Sequence, residues 1–170
     1  MAETGEEVSD NAALWCFSLA FYERPGVSEA LIALQDHAGL DVNLMLFALW
    51  IGASGRGRLT SGELAIADLI IRPIRTDIVE PLRALRRKLR SDPDTDVQHL
   101  REGIKALELA AEKAIQKRLG RPARAADGGA DPAARTAAAV ANLALYLGSE
   151  MARSREAARL AEVLEAFVQG

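Results

Sequence analysis

The chain has 170 residues, of which 49% are hydrophobic and 26% charged, and its formal net charge at pH 7 is -3. This length and balance are typical of one soluble globular domain, and the small negative charge argues against a protein that binds nucleic acid or anionic membranes through its overall charge. A single cysteine, Cys16, excludes an internal disulfide bond. Because it lies between Trp15 and Phe17, we expect it to be a small buried apolar side chain.

The N-terminal part of the chain predicts a tail and one helix. Residues 1–10 are acidic and lack the apolar run of a signal peptide, so we expect a disordered N-terminus and a cytoplasmic protein. Asp10 can cap a helix over 11–23. Apolar residues cover most of the circumference of that helix over 14–22, and we therefore expect it to be largely buried.

The next two helices meet at a polar junction. A second helix is predicted over 28–38 and ends at Gly39, which readily adopts the left-handed conformation of a C-cap. Asp41 can then accept N–H bonds at the start of a third helix. Residues 42–51 of this helix are apolar apart from Asn43, and they are about half as many as the ~20 residues of a bilayer span. We therefore predict a buried central helix.

A glycine-rich loop and a long helical segment follow. Residues 52–58 contain three glycines but match neither a P-loop nor a dinucleotide-binding motif, so we expect a solvated loop. Thr60 and Glu63 then form a capping box. Apolar residues recur every three or four positions beyond Pro73 and Pro81, which predicts either one long kinked helix or two helices that meet near one of these prolines.

The polar side of this long segment is basic. Its candidate basic interaction face consists of Arg83, Arg86, Arg87, Lys88 and Arg90. Contact with nucleic acid through this face is a weak alternative, because recognition modules also show a motif or an aromatic platform and this segment shows neither. Arg72 and Arg75 could contact an anion if the segment packs beside the polar junction.

Three further helices complete the prediction. Asp92 and Pro93 indicate the start of a helix with one apolar stripe, formed by Val97, Leu100, Ile104, Leu107, Ala111 and Ala114. A flexible linker is predicted near 120–131. An alanine-rich helix over 133–147, whose small faces allow close helix approach, and a final helix over 154–168 follow.

The elements together predict an all-α fold. We expect a single domain over residues 11–170, built as a bundle of six or seven helices around the buried central helix, with a long proline-kinked helix on it. No strand pattern and no internal repeat is visible in the sequence.

Polar residues are concentrated where the second and third helices meet. The candidate pocket combines the polar residues Gln35, Asp36, His37, Asp41 and Asn43 with the aromatic residues Trp15, Tyr22 and Trp50. One interpretation is structural: the polar groups cap two helix ends and join helices by buried hydrogen bonds. The alternative is a small-molecule site, because such sites are apolar with a few convergent polar groups.

No arrangement of residues predicts catalysis. The two histidines, His37 and His99, lie on different segments, and there is no zinc-binding His-Glu-x-x-His motif. Asp36 and Asp41 lack the second aspartate-rich motif with which helical isoprenoid synthases hold magnesium. We therefore assign no catalytic residue and expect neither a metal nor a cofactor.

Short motifs in the first third of the chain resemble a known family. They are W-C-F-S-L-x-x-Y at 15–22, P-G-V at 25–27, L-Q-D-x-x-G-x-D-V-N at 34–43 and L-F-x-x-W at 46–50. Together they are similar to a bacterial, mainly proteobacterial, domain-of-unknown-function family of short uncharacterised proteins. The resemblance implies a bacterial, soluble, α-helical protein, and no activity transfers with it.

These observations favour a protein-interaction or adaptor module over an enzyme, with a protein partner or a second copy of the chain as its ligand. The alternative is a small-molecule-binding protein or enzyme that uses the polar junction. No membrane span is expected.

Overall fold

The computed structural model describes the backbone of residues 5–121, 125–126 and 130–170, and within those ranges the side chains from residue 12 onward. The helices are α1 (Gly5–Tyr22), α2 (Val27–Ala38), α3 (Val42–Ala53), α4 (Ser61–Ile74), a π-helical segment (Arg75–Val79), α5 (Glu80–Lys88), α6 (Thr95–Gly120), α7 (Pro132–Met151) and α8 (Arg155–Gln169). If the continuous helical run 61–88 is counted once, these ranges hold seven helices and no strand. The predicted all-α bundle is confirmed.

Helix α3 is the centre of the fold. Eleven of its twelve residues are buried, because it has no polar side chain except Asn43. Two apolar clusters meet on it: one side packs with α2, α7 and α8, and the other packs with α4 and α6. Gly52 lets α7 approach closely, since a Cβ on it would lie 2.1 Å from the backbone nitrogen of Ala139. The predicted close approach of the alanine-rich helix is confirmed.

The helix ends follow local capping rules. Asp41 accepts from the N–H groups of Asn43 and Leu44 at the start of α3, and Thr60 and Glu63 make both bonds of the predicted capping box. The N-cap of α6 is Asp94 and not the predicted Asp92, because the Asp94 side chain accepts the first free N–H groups of the helix while Asp92 accepts from Asp94 itself.

The two prolines do not break the helical run that contains them. A π-helical turn lies between Pro73 and Pro81, and the N–H of Glu80 donates to the carbonyl oxygen of Arg75, five residues back. Because proline has no N–H and crowds the carbonyl four residues before it, a locally wider turn keeps the rest of the run hydrogen-bonded. Of the two alternatives, one long helix or two helices that meet near a proline, the structure shows one continuous helical run with a π-helical turn.

Three expectations about burial and boundaries were wrong. Cys16 is exposed and Leu19 is 46% exposed, so α1 buries only part of its circumference. The loop after α3 is only partly solvated: Arg58 is exposed, but Arg56 is 8% exposed, with its guanidinium stacked 4.4 Å from the centre of the Trp50 ring. Helix α1 begins at Gly5, earlier than predicted, and residues 1–4 lie outside the described ranges, as does half of the predicted linker near 120–131.

The run 61–88 and α6 form an antiparallel helical hairpin. The side chain of Gln98, near the start of α6, donates to the carbonyl oxygens of Leu89 and Asp92 in the connecting turn. At the other end of α6, Leu119 packs in the same apolar cluster as Leu64 of α4. One side of this hairpin covers α1, α2 and α3.

Candidate functional site

The polar junction between α2 and α3 is centred on Asp41. Its carboxylate accepts from the N–H of Asn43 at 2.8 Å and of Leu44 at 3.1 Å, and its own N–H donates to the Tyr146 hydroxyl at 2.9 Å. Arg75, the first residue of the π-helical segment, has its Nη1 3.8 Å from the same carboxylate. Asp41 therefore serves as an N-cap and also links α3 to α7 and to the hairpin.

The side chain of Asn43 is buried and hydrogen-bonded. It is 4% exposed, and its Oδ1 accepts from Nε2 of Gln116 on α6 at 3.0 Å. This bond satisfies a polar group in the otherwise apolar central helix. Asn43 is therefore a contact between α3 and α6.

Arg83 of α5 joins the junction to α6. Its guanidinium donates to Gln35 at 2.9 Å, to Glu108 at 3.0 Å and to Glu112 at 2.8 Å. Arg86 donates two further hydrogen bonds to the Glu108 carboxylate. Glu108 is only 5% exposed, so α6 turns a charged group inward and holds it with two arginines.

The predicted anion contacts already have anionic neighbours. Arg72 and Arg75 both donate to Asp68 at 2.7 Å, and Arg75 also lies 3.9 Å from Glu80. At the end of α2, Asp36 pairs with Arg87 at 3.1 Å. The arginines that face the junction are thus largely neutralised by carboxylates of the same chain.

Burial controls the titration of the junction. It raises the pKa of the Asp41 carboxyl, and this effect outweighs the opposing backbone hydrogen bonds and the nearby charge of Arg75. It also raises the pKa of Glu112, and it raises the pKa of Tyr146 to about 12. These groups resist ionisation more than exposed ones do.

Glu108 behaves in the opposite way. Burial acts to raise its pKa, but the hydrogen bonds and charges of Arg86 and Arg83 outweigh that effect, and the pKa of this carboxyl is lowered. Glu108 therefore remains a carboxylate inside the hairpin, and it holds two cations in place.

Several predicted site residues do not join the junction. Trp50 is buried at the far end of α3, nine residues or about 13 Å from Asp41. His37, Lys88 and Arg90 are exposed. Tyr22 and Trp15 do lie along α6, the first near the charge of Glu112 and the second with Lys113 Nζ 5.7 Å from its ring centre.

The sequence prediction missed the residues that complete the junction, namely Asp68, Glu108, Glu112, Gln116 and Tyr146. Each comes from a helix distant in the chain, and Tyr146 is 105 residues from its partner Asp41. One signal was available: Glu108 and Glu112 stand one turn apart on a helix that follows an arginine-rich one. That pattern does not predict that the acidic residues of α6 face the arginines of α5.

Two cavities in the described part of the chain lie away from the junction. One of about 480 Å³ is a surface groove between α7 and α8 lined by Val140 and Ala144, and one of about 330 Å³ lies beside Arg159 and Phe167. Over the same ranges, no group of three or more histidine, cysteine or acidic side chains is arranged to hold a metal ion. No helix within them is long and apolar enough to cross a membrane.

A second candidate surface is the outer side of the hairpin, turned away from the junction. On α6, Leu100 and Leu107 are 59% and 60% exposed, and on α4, Ile66 and Leu69 are 58% and 62% exposed. The apolar stripe predicted along α6 is thus divided, because Ile104 is buried while the leucines on either side face solvent.

The comparisons with known proteins identify a family but no activity. A family model described as "Protein of unknown function (DUF2390)" matches residues 13–119, more than half of the chain. No curated protein and no solved structure matches significantly. The matched segment contains Asp41, Asn43 and the helical hairpin up to residue 119, but not Tyr146, which contributes to the junction from α7.

Proposed function

This chain belongs to the DUF2390 family of proteins of unknown function, and from that premise we propose that it is a non-enzymatic protein-interaction module that binds through the outer side of its hairpin. A bacterial, cytoplasmic setting is part of the proposal.

The orientation of α6 is the observation that carries this proposal. The helix buries Glu108 at 5% exposure and leaves Leu100 and Leu107 about three-fifths exposed. Burying a leucine contributes ~1.5–3 kcal/mol, whereas burying a carboxylate is costly unless it is paired. Because α6 buries this one carboxylate and leaves these two leucines exposed, the leucines give that apolar contribution only when another molecule covers them.

The exposed apolar residues also follow helical spacing and do not lie singly. Ile66, Leu69 and Pro73 are exposed on α4, and they share one helix face because they are spaced by three and four residues. Scattered exposed apolar residues need no explanation, but contiguous apolar patches mark interaction sites. Exposed apolar residues at helical spacing on both helices of the hairpin therefore support an interaction site.

Photo-crosslinking from inside the cell tests this proposal. A benzophenone amino acid at position 100 should give a discrete protein adduct, while the same group at position 109 should give none. Leu109 is 52% exposed and lies on the same helix, but it points away from the Leu100 side. Equal labelling from both positions, or none from either, would contradict the proposal.

A small-molecule site at the polar junction is the second candidate. Its support is the convergence of Asp41, Arg75 and Arg83 beside a π-helical turn, since such turns occur frequently at functional sites. It is second because each of these groups already binds a partner within the chain.

Asp41→Ala separates this second candidate from a capping role. A lost N-cap should lower the free energy of unfolding by ~1 kcal/mol, whereas Asp41→Asn, which keeps a side-chain acceptor, should cost less. Urea unfolding measures both. If Asp41→Asn is stable but loses a small molecule that native mass spectrometry finds on the wild-type chain, the junction is a binding site.

A further inference from the structure

One line of exposed residues runs along the whole outer side of α6. We call it the outer seam, and it consists of Asp96, Leu100, Gly103, Leu107, Ala110, Ala114 and Lys117. These positions alternate in steps of four and three residues, which is the 3.5-residue repeat of a helix that packs along another helix. All seven residues are exposed. Within the ranges that the structure describes, this row with coiled-coil spacing is not covered by another helix.

We propose that the partner is a second copy of this chain, with α6 packed antiparallel to α6 about a two-fold axis at Leu107. The proposal rests on the interaction function proposed above and names its partner. In such a pair, Leu107 meets the partner's Leu107. Leu100 and Ala114 are each seven residues from Leu107, so Leu100 packs against the partner's Ala114. Leu100 therefore faces a small residue at each end, while the two Leu107 side chains meet at the axis.

Gly103 supports the close approach of a second helix. It lies four residues before Leu107 and faces the partner's Ala110, three residues after it. Outside the adjacent residues and the backbone of its own helix, no atom in the described part of the chain lies within 4 Å of a Cβ built on Gly103, and its φ is not in the left-handed region. A helix-interior glycine is unfavourable compared with alanine. Because its own fold does not require it, the absence of a side chain there is best explained by contact with another helix.

The charges at the two ends of the seam select the antiparallel orientation. The N-terminal end is acidic, with Asp96 on the seam and Asp92 and Asp94 beyond it, and the C-terminal end is basic, with Lys117 and Arg121. Asp96 and Lys117 lie at nearly equal distances from Leu107, so antiparallel pairing brings each aspartate to the partner's Lys117. Parallel pairing would place like charges together.

These end charges also complement the macrodipole of α6, so by themselves they are typical of any long helix. The argument for a second copy is their combination with the large-to-small order of the seam, since both are symmetric about the same residue. A different partner would need neither symmetry.

The area available is sufficient for a stable dimer. The 26 residues of α6 span about 39 Å. The α4–α5 run lies beside α6 at an interaxial distance of 8–10 Å, so the hairpin is two helices, or roughly 20 Å, wide. Multiplied by the length of α6, this width gives the outer side an area of roughly 800 Å² per copy. That is the area that a standard protein interface buries on each partner.

Analytical ultracentrifugation of the full chain tests the proposal. The wild-type chain should dimerise at micromolar concentration, and Leu107→Glu should raise the dimer Kd on the order of 100-fold, because each copy places a charge on the two-fold axis. Leu109→Glu is the matched control and should leave the Kd unchanged. Circular dichroism should show the same helix content for all three chains, since both leucines are exposed.

Reversing the charges at the two ends of the outer seam distinguishes pairing between copies from an effect of the helix dipole. Asp96→Lys and Lys117→Asp should each weaken the homodimer several-fold, because like charges then meet at both ends of the pair. An equimolar mixture of the two variants should dimerise at least as tightly as the wild type, since every end contact in the mixed dimer is attractive. If the end charges act only through the helix dipole, the mixture of the two variants will dimerise no more tightly than either variant alone.

The proposal is overturned if the chain is monomeric at millimolar concentration, or if it dimerises with no dependence on Leu107→Glu or equal dependence on Leu109→Glu. A monomer that still crosslinks to a different protein from position 100 would overturn the second copy as partner but leave the interaction function standing. A monomer without such adducts would overturn both.

Discussion

At the scale of residues, the decisive feature is the cluster of Arg83, Arg86 and Glu108. Removing these charges from water is costly, and their mutual attraction and hydrogen bonds offset that cost. A buried ion pair is weak support for stability by itself, but it specifies which sides of two helices meet. Here it sets the rotation of α6 against α5, and that rotation turns Leu100 and Leu107 to solvent.

Glu108→Gln should make stability less dependent on pH. The folded-state pKa of Glu108 is lowered, so its ionised form stabilises the fold fully above its ordinary pKa of 4.5, and this contribution is lost as pH falls through the folded pKa. At pH 7 the variant should be less stable by roughly 3 kcal/mol, because two half-buried arginines lose their anion. The difference in the free energy of unfolding between the wild type and the variant should become smaller as pH falls below 4.5.

Urea unfolding from pH 7 to pH 3, at one fixed protein concentration, measures this gap. Glu102→Gln is the control: Glu102 is 57% exposed, so its loss should change stability by less than about 1 kcal/mol at every pH. A Glu108→Gln gap that stays constant across this range would mean that the carboxylate has no lowered pKa in the folded protein.

At the scale of elements, the pairing of α3 with α7 depends on backbone proximity. Gly52 lies against the backbone of Ala139, and both residues are buried. Small residues on both helices bring their axes together, so the flanking side chains of α3 and α7 interlock in one apolar cluster. This contact positions α7, and with it the Tyr146 hydroxyl that accepts from Asp41.

Gly52→Ala should therefore destabilise the protein, although alanine is the better helix former. The added Cβ would lie 2.1 Å from the Ala139 nitrogen, and forced overpacking of a core typically costs ~1–3 kcal/mol. Gly62→Ala is the matched control, because the nearest atom to its new Cβ is 3.9 Å away. It should be neutral or stabilising by up to about 1 kcal/mol. Thermal unfolding compares the two, and equal melting temperatures would refute the close contact.

At the scale of the whole molecule, α3 separates two apolar clusters that different parts of the chain complete. The family match ends at residue 119, before α7 and α8. Yet Met45 and Leu49 of α3 pack in one cluster with Leu143 of α7 and Leu160 of α8. The segment that defines the family is therefore not a complete core in this protein.

A chain truncated after residue 121 should lose cooperative unfolding, because the α7 side of α3 would face water. Adding residues 125–170 as a separate fragment should restore a cooperative transition by covering that side. Circular dichroism during heating distinguishes the two outcomes. If residues 1–121 alone unfold with a sharp transition near that of the full chain, α7 and α8 are accessory to the fold.

Interactions between residues close in the chain predict much of the architecture from the sequence. The apolar run 42–51 predicts a buried core helix over a buried strand because it is rich in Leu, Met and Ala. Asp41, Thr60 and Asp131 each begin a helix because a short polar side chain satisfies its first free N–H groups. Gly39 ends α2 in the left-handed conformation. Such signals act over a few residues, and they are therefore fully present in the sequence.

The sequence by itself thus determined the helices, their caps and the buried centre of this protein, whereas the tertiary structure decided which side of each helix is covered. Both the leucines and the carboxylates of α6 lie in regular stripes, and either could face inward. Glu108 is buried because Arg83 and Arg86, more than twenty residues away, meet it there. Whether a stripe is buried depends on the element that docks against it, and no local spacing contains that information.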